Sequence, residues 1–241
     1  MYRFYYENNI NLNELVLLNK EESYHAIKVL RLKIGDTVEV LDGSNIYSCK
    51  IKNITNGLLE LLVLEKLEPT EPQTKITLFQ GIPKGDKLST IVQKCTEIGV
   101  SSFEPIFMSR CDVKPSNIDK KNAKLNKVAI EAAKQSGRSQ IPKVKDFKQL
   151  NDIADLKEYD LILVPWEEER NISIYDLMRT ISPPPKNIAI FIGPEGGIDK
   201  TEIDFLTSLG AKTVSLGKRI LRTENAGLCA AFGVLTLLND L

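Results

Sequence analysis

Apolar and polar positions alternate in the first part of the chain and recur at helical spacing in the rest. In DTVEVLDGSNIYSCKIKNITNGLLELLVLEKLE, residues 36–68, three apolar runs are separated by Asp42-Gly43 and Asn56-Gly57. Such pairs accept the positive φ of tight hairpin turns, so the stretch predicts antiparallel strands. One helix interrupts this β-rich region. Asn19 followed by Glu22 has the form of a capping box, and Gly35 stands just beyond the predicted end. Closure of these strands into a small barrel over residues 1–70 removes exposed edges. The polar, proline-marked stretch from Glu68 to Gln73 reads as a linker.

Beyond it the pattern changes. KITLFQGI predicts a strand, and Leu88, Ile91, Val92, Cys95 and Ile98 mark one helical face that stops at Gly99. SFEPIFMS predicts another strand, followed by a long helix through KKNAKLNKVAIEAAKQS. DLILVP, NIAIFIG and TVSLG follow as strands, each trailed by a helical segment, the last from near Thr223 to the end. The alternation predicts an α/β domain over residues 73–241, with a mainly parallel sheet covered on both faces. No internal repeat or low-complexity tract is present.

Composition narrows the class. The chain has 241 residues, 42% hydrophobic, with 32 basic and 32 acidic side chains. A balanced total leaves room for a local basic patch. No apolar run approaches the roughly 18 residues of a membrane span, and MYRFYYENN lacks a signal-peptide pattern. The cysteines (Cys49, Cys95, Cys111, Cys229) form no C-x-x-C pair, and His25 is the single histidine. Neither a metal site nor a disulfide framework is expected. A cytoplasmic, soluble protein is.

Ligands of open parallel sheets bind outside the carboxyl ends of the strands. Three predicted ends carry unusual residues: Val164-Pro165-Trp166-Glu167, Gly193 to Gly197, and Leu216-Gly217-Lys218-Arg219. GPEGG matches neither dinucleotide nor P-loop spacing. Glu195 would repel a pyrophosphate, and Pro194 removes a backbone donor. The loop suits a ligand of low negative charge that needs close backbone approach, a purine with a sulfonium or ammonium group.

Arg219 and Arg222 stand near the start of the last helix, with Thr223 as its expected N-cap. They favour an anionic or carbonyl-bearing ligand over plain surface ion pairs. Ala226, Cys229, Ala230, Gly233 and Leu237 give that helix a small, apolar surface suited to a tight helix or subunit contact. From Met108 to Lys145 the bases are Arg110, Lys114, Lys120, Lys121, Lys124, Lys127, Lys134, Arg138, Lys143 and Lys145, against only Asp112, Asp119 and Glu131. Beside a small β-barrel, this run points to nucleic acid as the macromolecular partner.

HAIKVLR (25–31), LDGSN (41–45), KCTEIGV (94–100), EAAKQSGR (131–138), IGPEGG (192–197) and LGKRILRTENA (216–226) together resemble one family. It is the bacterial RsmE-type 16S ribosomal RNA uridine-N3 methyltransferases of the SPOUT superfamily, and the resemblance spans nearly the whole chain. Asn225 departs from it, where threonine is frequent. The resemblance implies a PUA-like, RNA-binding barrel, then an α/β domain with a C-terminal trefoil knot, and an obligate homodimer acting on 16S rRNA or the assembled small subunit. It also implies S-adenosylmethionine as methyl donor. That donor would lie against Val164, Pro165, Trp166, Ile192, Gly193, Pro194, Glu195, Gly196, Gly197, Leu216, Gly217, Ile220, Leu221, Arg222 and Thr223.

Uridine N3 carries a proton that must leave before or during attack on the methyl carbon. Arg222 is the candidate to stabilise charge on the uracil carbonyls, and Glu224, or Glu195, to take the proton. Arg31, Lys134 and Arg138 are the candidate phosphate contacts. Two other readings are a SPOUT enzyme that methylates the ribose 2′-oxygen and a non-catalytic RNA-binding assembly factor.

Overall fold

The computed structural model describes residues 1–112 and 117–241, so Lys114 of the basic run lies outside the described residues. The chain divides into two compact units, residues 1–71 with 133–141, and residues 72–132 with 142–241.

In the first unit, β1 (Arg3–Tyr5), β2 (Leu15–Leu17), β3 (Thr37–Leu41), β4 (Ile46–Thr55) and β5 (Leu58–Lys66) form one sheet in the order β1-β3-β4-β5-β2. β1 pairs with β3 in parallel and the other neighbours are antiparallel. The recorded pairing leaves β1 and β2 as its two ends, so the expected closure is not made by a strand ladder. Phe4, Val16, Val38, Val40, Cys49, Ile51, Leu59 and Leu61 nevertheless share one buried core drawn from all five strands. Asn56 (φ 52°) and Gly57 (φ 78°) make the β4–β5 turn with positive φ at both positions, as a tight hairpin of right-handed strands requires.

Helix α1 (Lys20–Tyr24) opens as expected on Asn19, whose side chain accepts from the Glu22 amide at 2.9 Å. Among the described residues the reciprocal half of the capping box does not form. Glu22 accepts instead from the Tyr5 amide at 3.2 Å and from Lys134 Nζ at 2.7 Å. The helix widens into a π-helical turn over His25–Val29 and ends at Arg31 (φ 56°), short of Gly35.

Two of the expected phosphate contacts are corrected here. Lys134 pairs with Glu22 and Arg138 with Glu71, with side chains only 8% and 6% exposed. Glu71 also accepts from the Ser139 and Gln140 amides, at 2.9 Å each. Both cations offset buried carboxylates inside the first unit, so neither is presented to a polyanion. Arg31 is exposed.

The second unit carries β6 (Lys75–Gly81), α2 (Lys87–Glu97), β7 (Ser102–Phe107), α3 (Ile118–Ser136, whose last turn belongs to the first unit), β8 (Lys143–Val144) and β9 (Lys148–Gln149). It continues with β10 (Leu161–Pro165), α4 (Ile174–Thr180), β11 (Asn187–Ile192), α5 (Lys200–Ser208), β12 (Lys212–Val214) and α6 (Thr223–Leu237). The sheet order is β12-β10-β11-β6-β7-β8, with β9 also on β7, and every recorded pair is parallel. Ile188, Ile190 and Ile192 face the core shared with α2 and α6, whereas Ala189 and Phe191 face the core shared with α5. Burial on both faces explains why NIAIFI reads as a continuous apolar run.

The stretch from Glu68 to Gln73 is not a free linker. Glu71 holds Arg138, and Asp240 accepts from the Gln73 and Thr74 amides at 2.9 and 2.6 Å. Among the described residues, no helix is long and apolar enough to cross a membrane.

Candidate functional site

The order β12-β10-β11 makes the three unusual strand ends immediate neighbours. Between them opens a cleft of about 510 Å³, within the range of small-molecule sites. Pro165, Trp166, Ile192, Gly193, Pro194, Glu195, Gly196, Gly197, Leu216, Gly217, Ile220, Leu221, Arg222 and Thr223 all line it. Val164 does not. It is 1% exposed and belongs to the core shared with α5, on the other side of the strand.

Each glycine of GPEGG answers a packing demand. A Cβ on Gly193 would lie 2.7 Å from Ile198 Cγ1 and 2.9 Å from the Gly197 carbonyl carbon, and one on Gly196 would lie 3.0 Å from Arg110 Cβ. Gly197 has φ +74°, and its amide closes a turn onto the Pro194 carbonyl at 3.0 Å. Arg110 braces the loop from outside, donating to the Gly196 carbonyl at 3.1 Å and to Asp199 at 3.0 Å. Asp199 in turn caps α5 in a complete capping box with Glu202. One member of the basic run thus serves the loop.

Helix α6 begins one residue earlier in its cap than the sequence suggests. Arg222 occupies the N-cap position without a side-chain cap bond, and Thr223 is the first helical residue. The Thr223 hydroxyl donates to the Gly193 carbonyl at 2.6 Å and accepts from Gln80 Nε2 at 2.9 Å. That chain of bonds joins the ends of β6 and β11 to the start of α6. Arg219, Ile220 and Arg222 are exposed.

The two candidate acids differ. Glu195 accepts from Lys87 Nζ at 2.8 Å and from the Lys84 amide at 3.1 Å. Burial would raise its pKa, but these hydrogen bonds outweigh burial and hold it below the usual carboxylate value. Glu224 is absent from the cleft wall. It has one buried oxygen without a hydrogen bond, and Lys87 Nζ is 3.7 Å away. Lys87 itself does line the cleft, as do Glu167, Arg170, Ile198, Ser215, Lys218, Arg219 and Ala226. Sequence reading missed Lys87 because the β6 end becomes a neighbour of β11 only through the strand order. Trp166 lines the wall, and its Nε1 is buried without a hydrogen-bond partner. Among the described residues no cluster of three or more His, Cys, Asp or Glu could hold a metal ion.

Known proteins resemble this chain in sequence and fold. A family profile described as an RNA methyltransferase PUA domain matches residues 18–64, and one described as an RNA methyltransferase domain matches residues 69–234. The chain is an RNA methyltransferase. The ribosomal RNA small subunit methyltransferase E of Bacillus subtilis is 34% identical over 220 residues, covering 87% of this chain and 85% of the relative. That of Aquifex aeolicus is 32% identical over 232 residues, covering 94% and 95%. The crystal structure of the Neisseria gonorrhoeae protein of the same name, bound to S-adenosyl methionine, superposes with a TM-score of 0.88 at 29% identity over 98% of each chain. The chain belongs to the ribosomal RNA small subunit methyltransferase E family.

Proposed function

We propose that this protein methylates N3 of a uridine in the 16S RNA of the small ribosomal subunit, with S-adenosylmethionine as donor. The carrying observation is the cleft at the ends of β10, β11 and β12, whose wall combines glycine backbone, apolar side chains and Arg222 and has no phosphate-cradle spacing. The wall fits the donor. Ile192, Leu216, Ile220 and Leu221 offer apolar contact for an adenosine, the backbone of residues 193–197 comes close, and Trp166 adds an aromatic face. When bound, the cofactor supplies an electrophilic methyl group on a sulfonium. Arg222, exposed at the helix start, meets the carbonyl charge that builds up as N3 loses its proton. Glu195 is engaged by Lys87 and the Lys84 amide, and Glu224 lies off the wall behind Lys87, so neither is placed as a free proton acceptor.

The first unit, through residues 1–70, serves RNA docking, and residues 73–241 carry the transfer. Exposed Tyr24, His25, Lys28, Arg31 and Lys33 lie on and either side of the π-helical turn and offer bases and an aromatic face to RNA. In the second unit, Lys120, Lys121 and Lys127 of α3 are exposed as well. The reading includes a homodimer, for which the exposed Phe232 and Cys229 of α6 are the contact candidates, a cytoplasmic location, and a trefoil-knotted path through the cleft loops.

Reverse transcription of 16S RNA treated with protein and donor tests the reading. N3 methylation blocks the pairing edge and stops the polymerase at one uridine. Read-through with a ribose 2′-O-methyl product, or no methyl incorporation into RNA or subunits, overturns it.

A further inference from the structure

The charged groups at the cleft are unevenly used. Lys87, the first residue of α2, stands with its ammonium between two acids from different elements, 2.8 Å from Glu195 of the GPEGG loop and 3.7 Å from Glu224 of α6. A cation in the first turn opposes the helix dipole, so local helix stability does not explain a lysine there. Its side chain is 38% exposed and lines the cleft, whereas Glu224 does not. An ammonium has three donors, and only the bond to Glu195 is short. Glu195, on the cleft wall itself, holds Lys87 there through one short bond and leaves it donor capacity.

The charge balance points the same way. The hydrogen bond to Glu195 raises the Lys87 pKa against burial, the charges of Glu195 and Glu224 add to that, and Arg222 works in the opposite direction. Lys87 stays protonated, and Arg222 is near enough to feel it. The remaining charged side chains on the wall are Glu167, Arg170, Lys218 and Arg219.

Uracil N3 lies between two carbonyls, and the negative charge left when its proton departs spreads over both oxygens. We propose that Lys87 is a second catalytic cation, which binds one of these carbonyl oxygens while Arg222 serves the other. This rests on the N3 reading above. The N3–H proton passes to water, and the electron pair left on nitrogen forms the bond to the methyl carbon. The carbon–sulfur bond breaks with its pair on sulfur, which leaves a neutral thioether. Lys87 neither gains nor loses a proton in this sequence. It lowers the pKa of the bound N3–H, as an opposite charge does for any acid that becomes an anion.

The test uses Lys87→Met, Lys87→Gln and Lys87→Arg with 16S RNA carrying either uridine or 5-fluorouridine, whose N3–H is more acidic. Lys87→Met and Lys87→Gln lose about 100-fold in kcat on uridine RNA, the loss typical of a missing oxyanion donor. Calorimetry finds their S-adenosylmethionine affinity within about threefold of wild type, since a lost donor to the acceptor base leaves the methyl donor's contacts intact. The pH at which kcat levels off moves upward, 5-fluorouridine recovers most of the loss, and Lys87→Arg retains most of the activity. Equal loss on both RNAs with an unmoved pH profile overturns the proposal. So does a loss that follows weakened donor binding, since Lys87 would then be a strut for Glu195. The wild-type arm separates the two readings: if its product fails to stop reverse transcription, the N3 assignment falls whatever the variants do.

Discussion

The Thr223 hydroxyl binds the Gly193 carbonyl at 2.6 Å while accepting the Gln80 amide at 2.9 Å. Thr223 is buried, so its loss removes both bonds at once, although Gln80 keeps its bond to the Gly81 carbonyl at 2.9 Å. Thr223→Val is expected to cost about 1–3 kcal/mol in urea denaturation, the penalty of lost buried hydrogen bonds. Because one of those bonds reaches the GPEGG loop, S-adenosylmethionine affinity falls as well. A stability loss with calorimetric affinity unchanged would confine Thr223 to a structural role.

Gly193 and Gly233 give opposite results with alanine. A methyl on Gly193 meets the backbone of Gly197, which the loop cannot yield, so Gly193→Ala abolishes donor binding in a protein whose circular dichroism remains native. A methyl on Gly233 of α6 meets nothing within 4 Å in this chain. Gly233→Ala stabilises the isolated subunit by about 0.5–1 kcal/mol through helix propensity. If α6 is the dimer contact, the same change, like Phe232→Glu, weakens self-association in sedimentation.

Arg138 and Arg31 separate stability from RNA binding. Arg138→Ala leaves Glu71 buried without its cation and costs about 3–5 kcal/mol, as breaking a buried pair does. Arg31→Ala leaves the denaturation midpoint in place and reduces the slope of log affinity for RNA against log salt by about one phosphate contact. An unchanged slope would move the RNA off the π-helical turn.

Alkaline stability follows from two buried thiols. Burial pushes Cys49 and Cys95 up to about 12 from 9.0. Between those values the unfolded chain has released these protons and the folded chain keeps them, so stability falls as pH rises from 9 toward 12. Each group contributes a slope of up to about 1.4 kcal/mol per pH unit. Denaturation midpoints across that range check this, and Cys95→Ala should flatten the decline.

Much of this was legible from sequence because the signals were local. Periodicity and turn pairs located the β4–β5 hairpin, α2 and the three strand ends. The proline and acid of GPEGG turned the reading away from phosphate. What the sequence hid was set by distance. Lys134 and Arg138 look like surface cations until Glu22 and Glu71, far away in the chain, are brought to them. Lys87 carries no local mark, and it joins the site only because β6 inserts beside β11. The Asn19 capping box failed by half because Glu22 had a stronger partner in Lys134. Val164 sits one residue too early, where strand alternation turns its side chain away from the cleft.

The first unit is assembled from two separated stretches, 1–71 and 133–141. During synthesis its five strands therefore emerge before the cations that their buried carboxylates require. Glu22 and Glu71 stay solvated, and the unit stays incomplete, until Lys134 and Arg138 have left the exit tunnel. An N-terminal fragment cut at the proline-marked stretch carries that deficit permanently, so this unit cannot be grafted onto another enzyme as one contiguous piece.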